Sequence, residues 1–162
     1  MDSTDRRILK ALQSDARIPN SQVAKQIGMV PSGTLERIRK LEESGVIAGY
    51  HARLNPKAIG LSLLAFVFVK STERIGTMST AKRLSEIPEV QEVHHVAGED
   101  CYLVKVRVAD TERLGRLLRE QFAKIESIVS TRTTIVLETV KESGELPMPI
   151  EDAPVKQKDG AA

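Results

Sequence analysis

The 162-residue chain concentrates its chemistry in one short run, Ser32-Gly33-Thr34-Leu35-Glu36-Arg37-Ile38-Arg39-Lys40. At helical periodicity Leu35, Ile38 and Leu41 share one face, and Glu36, Arg37 and Lys40 lie opposite. Ser32, Gly33 and Thr34 open that helix, where hydroxyls and unpaired backbone N–H groups can meet phosphates or base edges. Arg37 carries a fork suited to bidentate contact with guanine, and Lys40 and Arg39 suit phosphates. Glu36 can accept from a cytosine amine or pair with Lys40 at i,i+4. The combination fits grasping a polyanion better than breaking a bond.

Other reactive side chains do not converge. His94, His95 and Cys101 flank one turn, but adjacent histidines on a strand point to opposite faces and cannot both ligate one ion. No catalytic set, metal site or cofactor is expected. The single cysteine removes a disulfide framework. No apolar run is long enough to span a membrane, and the polar start Met1-Asp2-Ser3-Thr4-Asp5 is no signal peptide. Together these three features lead to the expectation of a reducing cytoplasm.

The elements that must position the basic helix follow from periodicity. Ser3 can cap a first helix with Ile8, Leu9 and Leu12 inward and Arg6, Arg7, Lys10 and Gln13 outward. Pro19 breaks it. Asn20 or Ser21 caps a short second helix carrying Val23, Ala24 and Ile27, and Gly28 suits its C-terminus. Pro31 and Ser32 open the third helix and Gly45 ends it. Two short helices joined by a glycine-containing turn are a helix-turn-helix, here over about residues 20–41. The apolar stretch 46–54, broken at Gly49, suits a small hairpin or wing. Ser21 and Gln22 before the turn, and His51 and Arg53 on the wing, complete the candidate DNA-facing set.

Residues 61–142 read as βαββαβ. Leu61–Lys70 is a strand apolar on both faces, and Thr77–Ile87 a helix. Val90–Ala97 and Tyr102–Val108 are strands around a Gly98-Glu99-Asp100 turn. Thr111–Ile125 is a helix and Ser127–Thr139 the last strand. That order is a ferredoxin-like split βαβ unit, whose helices cover one face of the sheet. The second apolar face of the first strand calls for a partner sheet, most simply from a second subunit. Residues 143–162, rich in proline, glycine and charge, are expected to be a disordered tail.

The net charge of +2 hides a division. Residues 1–60 hold ten Lys+Arg against six Asp+Glu, residues 61–142 hold twelve of each, and residues 143–162 hold two against four. A basic module beside a neutral one suggests that one part faces phosphates while the other does something else. Five aromatic residues without tryptophan argue against a base-stacking surface. An RNA-recognition sheet is also βαββαβ, but strand Tyr102–Val108 lacks the glycine–aromatic pattern such sheets use.

The order of parts resembles the Lrp/AsnC (feast/famine) family of transcription regulators. The opening run Asp2–Leu9 through Leu12–Arg17 is similar to that family's first helix. Leu35–Glu42 followed by Gly45-Val46-Ile47 resembles its recognition helix and exit. Gly49-Tyr50 and Leu54-Asn55-Pro56 resemble its wing and linker. Gly98–Leu103 resembles the turn of its ligand domain, and Thr131-Arg132-Thr133 that domain's last strand. The turn departs from the frequent Gly-Asp-Tyr-Asp-Tyr, reading Gly98-Glu99-Asp100-Cys101-Tyr102 here.

The resemblance implies an α+β chain: a winged helix-turn-helix over 1–60 and a ferredoxin-like (RAM-type) sandwich domain over 61–142. It implies double-stranded DNA and an amino-acid effector as partners, and dimers that assemble into octamers. It also implies a cytoplasmic, nucleoid-associated location. The effector would sit near Gly98, whose turn N–H groups can hold an α-carboxylate. Glu99 or Asp100 would take the ammonium, with Tyr102, Thr131, Thr133 and Thr134 as further candidates. Siroheme decarboxylases share the two-domain plan and are the enzyme alternative.

Overall fold

The computed structural model describes residues 1–74 and 76–148. It separates into two units, one of Met1–Arg53 together with the described residues from Glu142 onward, the other of Leu54–Lys141.

In the first unit three helices, α1 (Ser3–Ser14), α2 (Asn20–Ile27) and α3 (Pro31–Glu43), enclose Ile8, Leu9, Val23, Ile27, Ile38 and Leu41. Gly28 closes α2 at φ +77°, a left-handed position that glycine occupies without strain. Pro31 then starts α3 where a missing N–H costs nothing. Arg7, expected to face solvent, turns back and donates to the Gln26 and Ile27 carbonyls, satisfying the end of α2 with a cation.

Several expectations need correction here. Asp2, not Ser3, caps α1 through a reciprocal capping box with Asp5. Pro19 holds the N-cap position of α2, so neither Asn20 nor Ser21 caps it by side chain. Residues 46–54 form no strand. A two-stranded hairpin alone is marginal in water, and no further strand of this unit is present among the described residues to support one. It is tied back instead by the Tyr50 hydroxyl, which donates to Glu42 at 2.9 Å.

The expected free tail is docked as far as the structure describes it. The Gln13 amide pairs with the Leu146 backbone, donating to its carbonyl at 3.1 Å and accepting from its N–H at 2.7 Å. Met148 packs on the helical core, and Arg53 donates to the Glu142 carbonyl. The remainder of the expected tail, 149–162, lies outside the described residues.

The second unit is the βαββαβ anticipated. Strands β1 (Leu63–Ser71), β2 (Val90–His95), β3 (Tyr102–Val108) and β4 (Ile128–Ile135) form one antiparallel sheet in the order β2-β3-β1-β4. Helices α4 (Ser79–Ser85) and α5 (Thr111–Glu120) cover the face built by Ala65, Val67, Val69, Val104, Val106 and Val108. The other face carries Leu64, Phe66, Phe68 and Leu103, with Lys105 paired to Glu92 at 2.9 Å beside them. β4 ends at Ile135, short of the Thr139 expected.

Helix α4 is capped from a distance. Its N-cap position, Met78, supplies no side-chain bond. The Glu73 carboxylate, just beyond β1, accepts instead from Ser79 and Thr80. It also accepts from the Tyr102 hydroxyl at 3.0 Å. The Ser79 hydroxyl bond leads in pulling its pKa from 4.5 to about 2. Burial, then the Glu73 bond, pushes Tyr102 up to about 12.

A carboxylate depressed in the folded state stabilises the fold above its unfolded value and loses that contribution as pH falls through its folded value. For Glu73 the window runs from about 4.5 down to about 2. Glu73→Gln is expected to lower the thermal midpoint at neutral pH and to flatten the loss of midpoint across that window, read by thermal unfolding from pH 7 to 2. A second expectation concerns the docked segment. Gln13→Ala keeps a good helix former and should speed hydrogen exchange at the Leu146 amide while leaving α1 protected, measured residue by residue.

Candidate nucleic-acid interface and effector site

The turn after Gly28 sets α2 and α3 side by side and leaves one polar face outward. Ser21, Gln22 and Lys25 of α2 are exposed there, as are Ser32, Glu36, Arg39 and Lys40 of α3. Lys40 and Glu36 pair at 2.7 Å, both largely exposed, and the Lys40 bond holds Glu36 below its ordinary value. A pair so open to water is weak and yields readily to a phosphate. Gly33 is explained by packing. A Cβ there would stand 3.3 Å from Cε of Met29, a tight contact that the end of the Met29 side chain would have to shift to relieve.

Two residues of the expected DNA-facing set are placed differently. Thr34 is fully buried and its hydroxyl donates to the Val30 carbonyl, so it is part of the helix and not of the polar face. Arg37 is not a free fork, since its Nη1 donates to both Asp2 and Asp5 at 2.8 Å. Those bonds hold the guanidinium pKa above its ordinary value, Asp5 first. His51 is exposed, and Arg53 is exposed with its guanidinium on the Glu142 carbonyl. Lys25 was not singled out in the sequence. Its signal was its place among Val23, Ala24 and Ile27, as the outward residue of the short helix.

Around the second site, the Val96 N–H donates to the Cys101 carbonyl at 3.0 Å and closes the Gly98 turn. Gly98 sits exposed at φ +141°, and Glu99 is exposed beside it. Asp100 accepts from Arg132 of β4 at 2.9 Å, and the Arg132 guanidinium lies over the Phe68 ring, 4.0 Å from its centroid. In the sequence Arg132 stands out only within the run Thr131-Arg132-Thr133 that is like the family strand. Its charge, opposite the acidic turn, was the signal available.

The register explains what joins it. Phe68 faces Arg132 and Phe66 faces Thr134, on the sheet face away from the helices. Thr131 and Thr133 pair with Val69 and Val67, on the helix side. Tyr102 is 2% exposed with its hydroxyl on Glu73. The expected effector set is thus split: Asp100 and Thr134 share the outer side with Arg132 and Phe68, whereas the side chains of Tyr102, Thr131 and Thr133 belong to the other.

The Cys101 thiol is half-buried against the Ser71 backbone, and His94 pairs with Glu92. Among the described residues no three His, Cys, Asp or Glu side chains gather in a metal-holding group. No described helix is long and apolar enough to cross a membrane.

The two units match known families. A family model described as winged helix-turn-helix DNA-binding matches residues 1–48, and one described as the Lrp/AsnC ligand binding domain matches residues 64–146. The leucine-responsive regulatory protein of Escherichia coli K12 is 40% identical over 150 residues, covering 90% of each chain. Among solved structures, a feast or famine regulatory protein of M. tuberculosis complexed with L-methionine superposes with a TM-score of 0.84. It is 36% identical, over 91% of this chain and 99% of that one. A Neisseria meningitidis transcriptional regulator in complex with L-methionine reaches a TM-score of 0.85 at 26% identity, over 91% and 96%. These matches are to DNA-binding regulators rather than to enzymes, which sets the siroheme decarboxylase alternative aside. A helix-turn-helix unit and a ferredoxin-like ligand-domain unit, matched along nearly the whole chain, make this protein a member of the Lrp/AsnC family of DNA-binding transcription regulators.

Proposed function

We propose that the chain is a sequence-specific regulator whose DNA binding is tuned by an amino acid. The observation that carries this reading is the polar face of α2 and α3. It presents Ser21, Gln22, Lys25, Ser32, Glu36, Arg39 and Lys40 outward, with Arg37 at its edge. An exposed helix start beside several cations is the arrangement that docks into a major groove, with phosphate contacts setting register and few side chains reading bases. His51 and Arg53 extend it as backbone contacts.

The working unit is a homodimer joined through the outer face of the sheet, where Phe66, Phe68 and Leu103 are only half-buried and stand without helices over them. Two-fold symmetry then offers two recognition helices to half-sites one helical turn, or a multiple, apart. Octamers built from such dimers would add avidity over several sites.

The effector is an amino acid held at the Gly98 turn. Asp100 and Arg132 are opposite charges paired at 2.9 Å beside the Phe68 ring, and a zwitterion carries the matching pair. Gly98 and Glu99 offer further polar groups, and Thr134 a hydroxyl. L-methionine in two similar structures, and leucine in the name of a relative, support this class of ligand. The ligand acts by binding one DNA-competent or assembly state better than another.

The test uses duplexes selected by the protein from a randomised pool. Arg37→Ala should weaken binding to the selected duplex by about 1–3 kcal/mol and relax preference at one base pair. An equal loss on every sequence makes Arg37 a phosphate contact. Asp100→Ala should remove the change in DNA affinity caused by L-methionine or L-leucine while leaving binding without amino acid intact. An undiminished response moves the effector elsewhere.

A further inference from the structure

The start of the chain and the recognition helix share a four-oxygen device. Asp2 and Asp5 each use one carboxylate oxygen in the α1 capping box. Asp2 Oδ1 accepts from the Asp5 N–H at 2.8 Å, and Asp5 Oδ2 accepts from the Asp2 N–H at 2.9 Å. The second oxygen of each, Asp2 Oδ2 and Asp5 Oδ1, accepts from a single nitrogen, Arg37 Nη1, at 2.8 Å in both cases. The capping box is complete without those second oxygens. Helix capping therefore explains the presence of acceptors at both positions and leaves unexplained why both should be carboxylates aimed at α3.

The consequence for Arg37 is geometric. Its side chain is 35% exposed, so it reaches the surface without lying free on it. Two acceptors on Nη1 fix the plane of the guanidinium, and among the described residues Nη2 and Nε have no hydrogen-bond partner. The Nε–Nη2 edge is one of the two-donor edges by which an arginine meets a pair of acceptors. An arginine ordered before binding loses less freedom when it binds.

Charge alone points the opposite way. Two carboxylates around one guanidinium leave this corner net negative on a unit that faces a polyanion, and repulsion of phosphates would be the only effect if orientation did not matter. We propose that Asp2 and Asp5 are positioning residues for DNA reading: they grip Arg37 by Nη1 and present its Nε–Nη2 edge to acceptors on a base pair. The proposal rests on the reading of α3 as the DNA-facing helix and Arg37 as its reader.

The test variant is Asp2→Asn combined with Asp5→Asn. Each amide oxygen can maintain the capping box, because asparagine caps helices well, but an NH2 now stands where Arg37 had an acceptor. Binding is measured to a duplex selected by the native protein from a randomised pool and to its single-base-pair variants, with thermal unfolding as a check on folding. The expected result is a near-native midpoint and a loss of about tenfold in discrimination at the same base pair where Arg37→Ala loses it, with preference elsewhere intact. Uniformly tighter binding with discrimination preserved would overturn the proposal, since the carboxylates would then only oppose phosphates. If the double variant fails to fold, Asp2→Ser, which keeps a capping hydroxyl and leaves Asp5 as the one remaining acceptor, should give a smaller loss at that same base pair, and unchanged discrimination there would overturn the proposal. If Arg37→Ala itself retains full discrimination, the underlying reading of Arg37 falls, and the proposal with it. If only the carboxylate variants retain it, the proposal alone falls.

Discussion

A four-stranded sheet with helices on one side only is the constraint on which the organisation of this protein depends. Ala65, Val67 and Val69 of β1 are fully buried beneath α4 and α5, while Phe66 and Phe68, alternating with them, have no helix above. The pleat leaves no other option, because successive residues must face opposite ways. Apolar surface of this kind is costly in water, and covering it with the same surface of a second copy is the simplest solution. In the assembly proposed above, that one demand gives the regulator its two-fold symmetry, and so the symmetry of the DNA it would read.

The polar side chains divide their work in a related way. Several carboxylates here serve the fold. Glu73 caps α4 from outside the helix and fixes the Tyr102 hydroxyl; Asp110 caps α5 by accepting from the Arg113 N–H; Asp2 and Asp5 cap α1 and hold Arg37. Cations do likewise, as Arg7 closes the end of α2 and Arg132 spans Asp100 and Phe68. On the helix-turn-helix face Lys25 and Arg39 have no hydrogen-bond or ion-pair partner among the described residues, and Lys40 is held only by an exposed partner. The basic character of the first sixty residues therefore resolves into a few side chains that serve the fold and a few that remain available to phosphates.

Much of this was legible in the sequence, and the reasons for the exceptions are physical. Strand β3 was read at its observed limits, because Tyr102 to Val108 alternates cleanly and turn residues precede it. The three N-terminal helices were legible from Ile8, Val23 and Ile38 and their neighbours, and Gly28 from its place after the apolar set. Asp2 was missed as a cap because Ser3 is as good a capping residue, and only the reciprocal bond with Asp5 decides between them. Thr34 was misplaced because a threonine in the first turn of a helix looks polar until its hydroxyl is seen returning to Val30. Tyr102 carried a polar tip that could have pointed to a ligand, but its partner, Glu73, is 29 residues away in sequence. The docking of residues 142–148 runs through the Gln13 and Arg53 side chains, the backbone of Glu142 and Leu146, and a lone apolar contact from Met148, which make no periodic pattern to read.

The central claim is that copies of the chain work in pairs on DNA, joined through the uncovered sheet face. Native mass measurement of the protein bound to a duplex selected from a randomised pool addresses it most directly. The account predicts complexes carrying two chains of 17.8 kDa, or a multiple of two, per duplex. A complex of one chain per duplex, formed with the full affinity of the preparation, would contradict it.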